Sequence, residues 1–424
     1  MNNHRKVSEI VFRGDLYPRI ETSPITVQSY AELLEILPPI EINQHNELID
    51  GWHRWTAHKK AQAETIPVVV TETKSDAHLL ELAIERNARF GLQLSQEDKR
   101  EMARKIYHQT ADRDRDEKKK HLSQILSVPD RTLRSWLSRI DKDSKEARDK
   151  RIFDLWMACY TQEKISVQVG CSKSEVNNIC SQMADLPKMN KPDQALAEHA
   201  VDFEVPLYNI WKFKAKSNGS SHYGNTESRI LDSLLYLYTQ PFDIVVDPFA
   251  GGGSTIDVCK KRFRRYWVSD RLPIPERENQ IRSWDLTAGS PDLPRWKDVR
   301  LVYLDPPYWK QAEGAYSNDP TDLANMSLEE FTRQLSQIIQ SFAAKLSAPA
   351  YIALIIQPTQ WRAPDKQYTD HVADMLKKVN LPLKMRISCP YESQQHTPQM
   401  VDWAKENKEL LVLTRELVIW KIND

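Results

Sequence analysis

The stretch Asp243-Ile-Val-Val-Asp247-Pro-Phe-Ala-Gly251-Gly-Gly-Ser-Thr255 decides how the chain is read. Ile244, Val245 and Val246 form a contiguous β-branched run, the pattern of a strand covered on both faces. Asp247 stands at the carboxyl end of that strand. Gly251 to Gly253 permit a sharp turn and a close backbone approach. The helix expected to open there turns its free N–H groups toward the same point. In an open parallel sheet, small ligands bind at such a place. A phosphate loop would need Lys ahead of its Ser or Thr, and here Ser254-Thr255 follows Gly253 directly. A dinucleotide fingerprint would want a third glycine near Ile256. A turn with a purely structural role stays open on this stretch alone.

A second stretch about sixty residues on narrows the choice. Leu301-Val-Tyr-Leu304-Asp305-Pro-Pro-Tyr308 reads as another buried strand, ending in a carboxylate, two prolines and an aromatic ring. The pair resembles the amino-methylating DNA methyltransferases, which use S-adenosylmethionine. The resemblance implies a Rossmann-like, seven-stranded, mostly parallel sheet. It implies a cofactor turn made by Asp247, Pro248, Phe249, Ala250, Gly251 and Gly253, and a catalytic turn made by Asp305, Pro306, Pro307 and Tyr308. The chemistry needs such residues. An exocyclic base amine is a poor nucleophile because its lone pair is delocalised into the ring. Asp305 can accept one amine hydrogen and the Pro306 carbonyl the other, which localises the lone pair. Two prolines set that geometry before the base arrives. Tyr308 can stack on a base swung out of the duplex. Asp305 is then an electrostatic and positioning group more than a strong base.

Further residues fall where a cofactor pocket needs them. Tyr266-Trp-Val-Ser-Asp270 reads as the next strand, and Asp270 lies about where such folds hold ribose hydroxyls. Asp285 would end a third strand and face the cofactor's adenine amine, with a surface acid as the plain alternative. Asn225 and Thr226, ahead of the helix-like run Ile230-Leu-Asp-Ser-Leu-Leu-Tyr-Leu-Tyr238, resemble the family's segment at the methionine end of the cofactor.

At 424 residues the chain is expected to hold two to four domains. Lys and Arg together number 59, as do Asp and Glu, so any basic surface must be local. Five cysteines show no metal-ligand spacing, so no metal site is expected and a reduced, cytoplasmic setting is the simple reading. No apolar run is long enough to span a membrane, and the first residues lack a signal-peptide core.

Residues 1–92 read as strand, tight turn, helix, strand around Asn46-Glu-Leu-Ile-Asp50-Gly-Trp-His-Arg54. This unit resembles the ParB and sulfiredoxin fold, an α+β domain whose corresponding turn cradles nucleotide phosphates. The resemblance implies a nucleotide site, CTP or ATP with Mg, at Asp50, Gly51, His53 and Arg54. Gly51 permits the turn and Arg54 is a forked phosphate donor. Trp52 stands where sulfiredoxins carry their cysteine, which argues against a redox role. A fold kept only as a scaffold for DNA binding or dimerisation is the alternative.

Residues 93–183 read as all-helical with two helix-turn-helix patterns. In the first, Leu122 to Leu137, Val128 sits in the turn and Leu133, Trp136 and Leu137 face inward, which turns Arg131, Thr132 and Arg134 toward a groove or its phosphates. In the second, Tyr160 to Ile179, Gly170 makes the turn, Ser172 caps the helix, and Lys173, Ser174 and Asn177 lie on the recognition side. Helical hairpins that merely pack against a neighbour share this spacing.

Residues 184–205 are polar and proline-bearing and read as a linker, leaving 206–424 for the methyltransferase domain. After Tyr308 the pattern predicts helices over 327–345 and 368–378, a strand over 350–356, another near Lys384, and a closing pair at Glu409–Leu413 and Glu416–Trp420. Two loops, 310–325 and 390–398, are placed to meet a substrate; the second carries Tyr391, Gln394, Gln395 and His396. No large target-recognition domain fits beside the motifs, so the front-half helices are expected to supply DNA affinity. Deleting residues 1–183 should then abolish or relax site preference. The whole reads as a multidomain α+β and α/β protein acting on double-stranded DNA as an adenine-N6 methyltransferase. Asp at the head of the catalytic turn leans to adenine, since serine there is commoner in the cytosine-N4 enzymes. An N4-cytosine enzyme and a non-catalytic ParB-like DNA-binding or partition protein are the alternatives. A homodimer is left open.

Overall fold

The computed structural model describes residues 4–89, 94–189, 203–213, 226–277, 280–291, 293, 295–360, 366–391 and 396–423. The chain divides into two compact units, Met1–Ala147 and Arg148–Asp424.

The first unit opens on a four-stranded sheet. Its strands are β1 (His4–Lys6), β2 (Ile40–Ile42), β3 (Leu48–Asp50) and β4 (Thr65–Val70), in the order β1-β4-β2-β3. Only the β2–β4 pair is parallel. Helix α1 (Pro24–Ala31) and helix α2 (Trp52–Lys60) complete this part. Ile40, Ile42, Leu48, Ile66 and Val68 alternate inward from the strands and bury against Tyr17 and Trp55. A second core lies among four helices: α3 (Asp76–Arg89), α4 (Gln96–His108), α5 (Arg115–Ile125) and the start of α6 (Asp130–Met157). Ser95 and Asp98 form the reciprocal capping box that starts α4. In the first helix-turn-helix pattern Val128, Leu133 and Leu137 are buried, while Arg131 and Arg134 are exposed.

The second unit is built on a seven-stranded sheet. In chain order its strands are β5 (Ile244–Asp247), β6 (Arg265–Asp270), β7 (Arg282–Ser283), β8 (Val299–Leu304), β9 (Ala350–Ile356), β10 (Leu383–Pro390) and β11 (Thr414–Ile422). In space the order is β10-β11-β9-β8-β5-β6-β7. Every pair is parallel except the two that involve β11, which inserts between β9 and β10. Helices α9 (Ser228–Tyr238), α10 (Ser254–Lys261), α11 (Leu328–Ala343), α12 (His371–Lys378) and α13 (Pro398–Asn407) belong to the same unit. Ile244, Val245 and Val246 are buried, as a strand covered on both faces requires. From β5 the chain winds outward through β6 and β7, then returns to place β8 on the other side of β5. That reversal is the switch point, and it sets Asp247 and Asp305 side by side.

Some expected elements differ. Glu409–Leu413 is not a strand; Leu410 is exposed, and the partner of β11 in the closing hairpin is β10, with α13 between them. An apolar run alone does not make a strand; the ladder between β10 and β11 begins only at Thr414. The strand expected to end at Asp285 is two residues long. Helix α12 starts at His371 because Thr369 instead bridges Thr359. Helix α8 (Lys173–Met189) extends into the stretch read as a linker, of which 190–202 lie outside the described residues.

The second helical hairpin, α7 (Gln162–Val169) with α8, belongs to the sheet-bearing unit. Gly170 ends α7 at φ 74°, and the Ser172 hydroxyl accepts the Glu175 N–H. Met157 and Ala158 are part of the sheet's own core, with Phe153, Trp156 and Tyr160 packed against it. Arg265 at the start of β6 donates Nε to the Trp156 carbonyl at 3.1 Å and lies 4.5 Å from that indole's centroid. Arg282 donates to the Ala158 carbonyl at 2.6 Å. These contacts set where the chain can be cut. A fragment starting at Arg148 should melt cooperatively. One starting at residue 184, which loses Met157, Ala158 and both arginine clamps, should melt at lower temperature or aggregate. Equal melting curves would show that the hairpin does not stabilise the sheet.

Candidate active site

Asp247 shapes the glycine turn. It is 2% exposed, and its two oxygens serve two different groups. Oδ1 accepts the Phe249 N–H at 2.9 Å, and Oδ2 accepts the Thr255 hydroxyl at 2.5 Å. The strand end is thereby tied to the first turn of α10. Gly251 and Gly253 take φ 47° and 77°; a Cβ on Gly253 would also stand 2.9 Å from Arg277, which donates to the Gly253 carbonyl. Burial pushes the Asp247 carboxyl up to about 7, helped by the nearby Asp305 and Asp270 charges and opposed by its two donors.

Asp270 and Asp285 stand on one wall of a cavity of about 340 Å³, with Phe249, Trp284, Leu286 and Ile338 as apolar lining. Asp270 accepts the N–H groups of Gly251 at 2.9 Å and Leu272 at 3.0 Å. Asp285 accepts the Thr287 N–H and pairs with Arg271 at 3.0 Å. Partial burial works against its charge, but these donors hold it below the usual carboxylate range. Arg271 also reaches Asp319 at 2.7 Å, which fastens the 310–325 loop to this wall. Ala315, Tyr316 and Ser317 of that loop line the cavity.

Asp305 opens on the same cavity. Its Oδ2 accepts the Thr226 hydroxyl at 2.5 Å, and its Oδ1 accepts the Tyr308 hydroxyl at 3.2 Å. Burial raises its pKa to about 6, and the Thr226 hydroxyl, Arg415 and Tyr308 restrain the rise. Thr226, expected at the cofactor, thus also contacts the carboxylate of Asp305. A smaller space beside it is lined by Thr226, Asp247, Gly251, Thr255 and Asp305. Asn225, Gln394 and Gln395 lie outside the described residues.

The residues present fit S-adenosylmethionine. The cavity falls in the size range of cofactor sites, and it joins an apolar, aromatic wall to two carboxylates suited to hydroxyl and amine donors. Sequence reasoning did not single out Arg271 or Trp284, and it placed Tyr316 only within the loop expected at the substrate. The first two adjoin Asp270 and Asp285, so their neighbours were a usable signal. Tyr316 is brought in by a loop.

In the first unit the Asp50–Arg54 turn is held by its own contacts. Gly51 has φ 104° and a Cβ there would meet Ile40 at 2.7 Å. Arg54 donates to Asp50 at 2.5 Å and to the carbonyls of Pro38 at 3.0 Å and Pro39 at 2.6 Å. The buried His53 accepts the Ser23 N–H through Nε2 at 2.9 Å, and burial lowers its pKa, with Arg19 adding to the effect. On the second helical hairpin, Lys173 pairs with Glu163, and Asn177 accepts from Gln162 at 3.1 Å. Ser174 is exposed.

The strand order and the carboxylates at its switch point are those of a methyltransferase-type Rossmann domain. Residues 90–271 match the DNA methylase family model, and residues 19–88 match the ParB N-terminal domain. The chain therefore joins a ParB-type front to a DNA-methylase-type domain. The methylase match includes the glycine turn and ends before Asp305. No curated protein matches. Solved structures with partial likeness include the truncated chromosome-partitioning protein ParB from Caulobacter crescentus complexed to the centromeric parS site. It is 20% identical over 47% of this chain and 82% of that one, with a TM-score of 0.19. The N-methyltransferase NodS from Bradyrhizobium japonicum, complexed with S-adenosyl-L-homocysteine, is 12% identical over 46% and 84%, with a TM-score of 0.28. At such TM-scores the fold statement rests on the strand order. No helix among the described residues is long and apolar enough to cross a membrane, and no His, Cys, Asp or Glu cluster among them suits a metal.

Asp247 makes stability depend on pH. Its folded pKa lies above the 3.8 of a free carboxyl, so the folded state binds more protons between these values. Stability from this group is therefore complete below about pH 4 and is lost as pH rises to about 7. Asp247→Asn keeps an acceptor for Phe249 and a donor for Thr255 without the charge. Its stability relative to the native chain should grow from near zero at pH 4 to roughly 4 kcal/mol above pH 7, at about 1.4 kcal/mol per pKa unit. Urea melts across that range check it.

Proposed function

We propose that the chain methylates DNA at the exocyclic N6 amine of adenine. The observation that carries this reading is Asp305: a carboxylate at the switch point, oriented by two hydroxyl donors and open to the cavity beside the glycine turn. At neutral pH a group with pKa about 6 is mostly ionised and accepts a hydrogen bond from the amine. The Pro306 carbonyl accepts the second amine hydrogen, and the Tyr308 ring stacks on the base. Bound S-adenosylmethionine supplies the methyl group as an electrophile. Asp305, Pro306 and the ring of Tyr308 hold the amine nitrogen with its lone pair directed outward, and the carboxylate takes up positive charge as it develops on that nitrogen. Asp247 keeps the turn in shape, while Pro248, Phe249, Ala250, Gly251, Gly253, Asp270 and Asp285 form the cofactor side. A non-catalytic scaffold would need no hydroxyl-oriented carboxylate at this position.

Double-stranded DNA is the partner, and the exposed Arg131 and Arg134, with the half-buried Thr132, face it as phosphate or groove contacts. Lys173, Ser174 and Asn177 are the second set, with two of them already engaged within their own hairpin. A nucleotide at Asp50, Gly51, His53 and Arg54 would require Arg54 to leave Asp50 and two carbonyls, so the contacts favour a scaffold role for this turn.

The test incubates the protein with S-adenosylmethionine and unmethylated genomic DNA, then digests to nucleosides for mass spectrometry. N6-methyladenine should form, and Asp305→Ala should abolish it while cofactor binding persists. N4-methylcytosine would overturn the choice of base, and no methylated base would favour the scaffold. Arg131→Ala and Arg134→Ala should each weaken DNA binding and reduce the slope of log affinity against log salt by about one. An unchanged slope would remove them from the interface.

A further inference from the structure

Behind Asp305 lies a charged group that neither motif contains. Arg415, on β11, is 3% exposed, and its sequence neighbours carry no signal of a site. Its Nη2 donates to Glu227 Oε2 at 2.5 Å. Its Nη1 stands 3.5 Å from the Thr226 hydroxyl oxygen, a long contact whose effect is chiefly electrostatic. The guanidinium lies 4.3 Å from the centroid of the Tyr391 ring, and Tyr391 is itself held by Gln357 at 3.2 Å.

We infer, resting on the methyl-transfer reading above, that Arg415 is a positioning residue for that site: locked by Glu227, it turns the Thr226 hydroxyl so that its hydrogen points at Asp305, and it holds the carboxylate ionised. The direction follows from donor chemistry. Arginine has no acceptor, so the Thr226 oxygen must present its lone pairs to Arg415. The single hydroxyl hydrogen is then left for Asp305, at 2.5 Å. Removing either donor leaves a buried carboxylate with less to offset its desolvation.

The groups that bear on Asp305 come from several elements. Arg415 on β11 opposes protonation. Glu227 ahead of α9, Asp247 on β5 and the tyrosines 303, 308 and 391 surround it, and of these Glu227 favours protonation while the Tyr308 hydroxyl opposes it. Arg415 is thus the cation whose charge chiefly offsets the desolvation of this carboxylate. It stands next to the acidic group that would otherwise be easiest to neutralise, and that neutralisation would remove the acceptor for the base amine.

The experiment uses the full chain and single-turnover methyl transfer from pH 5 to 9. Native protein should show an acid limb near pH 6 with full rate above it. Arg415→Gln should move the limb up by about one pH unit, so that the rate at pH 5 to 6 falls about tenfold while the rate at pH 9 stays within about threefold. Arg415→Lys should restore much of the limb. Thr226→Val should shift it in the same direction, and Thr226→Ser should reverse that. Cofactor binding and melting temperature are measured alongside, so that unfolding is seen directly. A limb unmoved in Arg415→Gln, or a drop uniform across all pH, overturns the inference and leaves Arg415 as a structural tie. If the native chain transfers no methyl group, the proposed function fails by itself. The relay is then decided by titrating the carbon-13 signal of the Asp305 carboxyl, assigned by its loss in Asp305→Asn. A pKa that rises in Arg415→Gln supports the relay and one that does not move refutes it.

Discussion

The paired hydrogen bonds of Asp247, to the Phe249 N–H and the Thr255 hydroxyl, carry the arrangement on which the site depends. They bind the end of the central strand to the first turn of the helix beyond it. With that link made, the backbone between them can only loop through the left-handed conformations of Gly251 and Gly253. The Gly251 N–H is then presented to Asp270 on the adjacent strand. One buried carboxylate thus sets the turn, and the turn sets the next acid. The cost is an anion out of water, visible as a raised pKa.

Arginines hold the remaining parts of this unit in place. Arg265 and Arg282 clamp backbone carbonyls at the end of α6, with indole and phenol rings against their guanidinium faces. Arg271 joins the Asp285 wall to the 310–325 loop, and Arg415 joins β11 to the segment ahead of α9. In each case a planar group with several fixed donors spans elements that are distant in sequence. Helical patterning alone made the α7–α8 hairpin a DNA reader. These clamps, together with Met157 and Ala158 in the sheet core, tie to the sheet the end of α6, against which the hairpin packs.

Much of the architecture was legible because local physics and global fold agree there. The runs at 244–247, 265–270, 299–304 and 350–356 are apolar, β-branched or aromatic, and each is a buried strand. Gly51 and Gly170 mark turns where positive φ is required, and both occur at the expected positions. The reading went astray where pairing, not pattern, decides. Leu410-Leu-Val-Leu413 is as apolar as a strand, yet joins no ladder, while the polar-faced 383–390 segment pairs with β11 over its length. Thr226, placed by resemblance at the cofactor, donates its hydroxyl to Asp305, a contact between distant residues that the pattern does not carry.

From the sequence alone came the two motifs, the order of elements and the residue types able to hold a cofactor and a base amine, because these depend on contiguous residues and their periods. Tertiary structure decided which carboxylates face one cavity, how Asp305 is oriented, that Arg54 is engaged by its own turn, and that Arg415 stands near Asp305. Those outcomes depend on strand order and on which distant donors reach a buried acceptor. A hydrogen bond across 188 positions of chain, such as Arg415 to Glu227, leaves no periodic trace in the residues that make it.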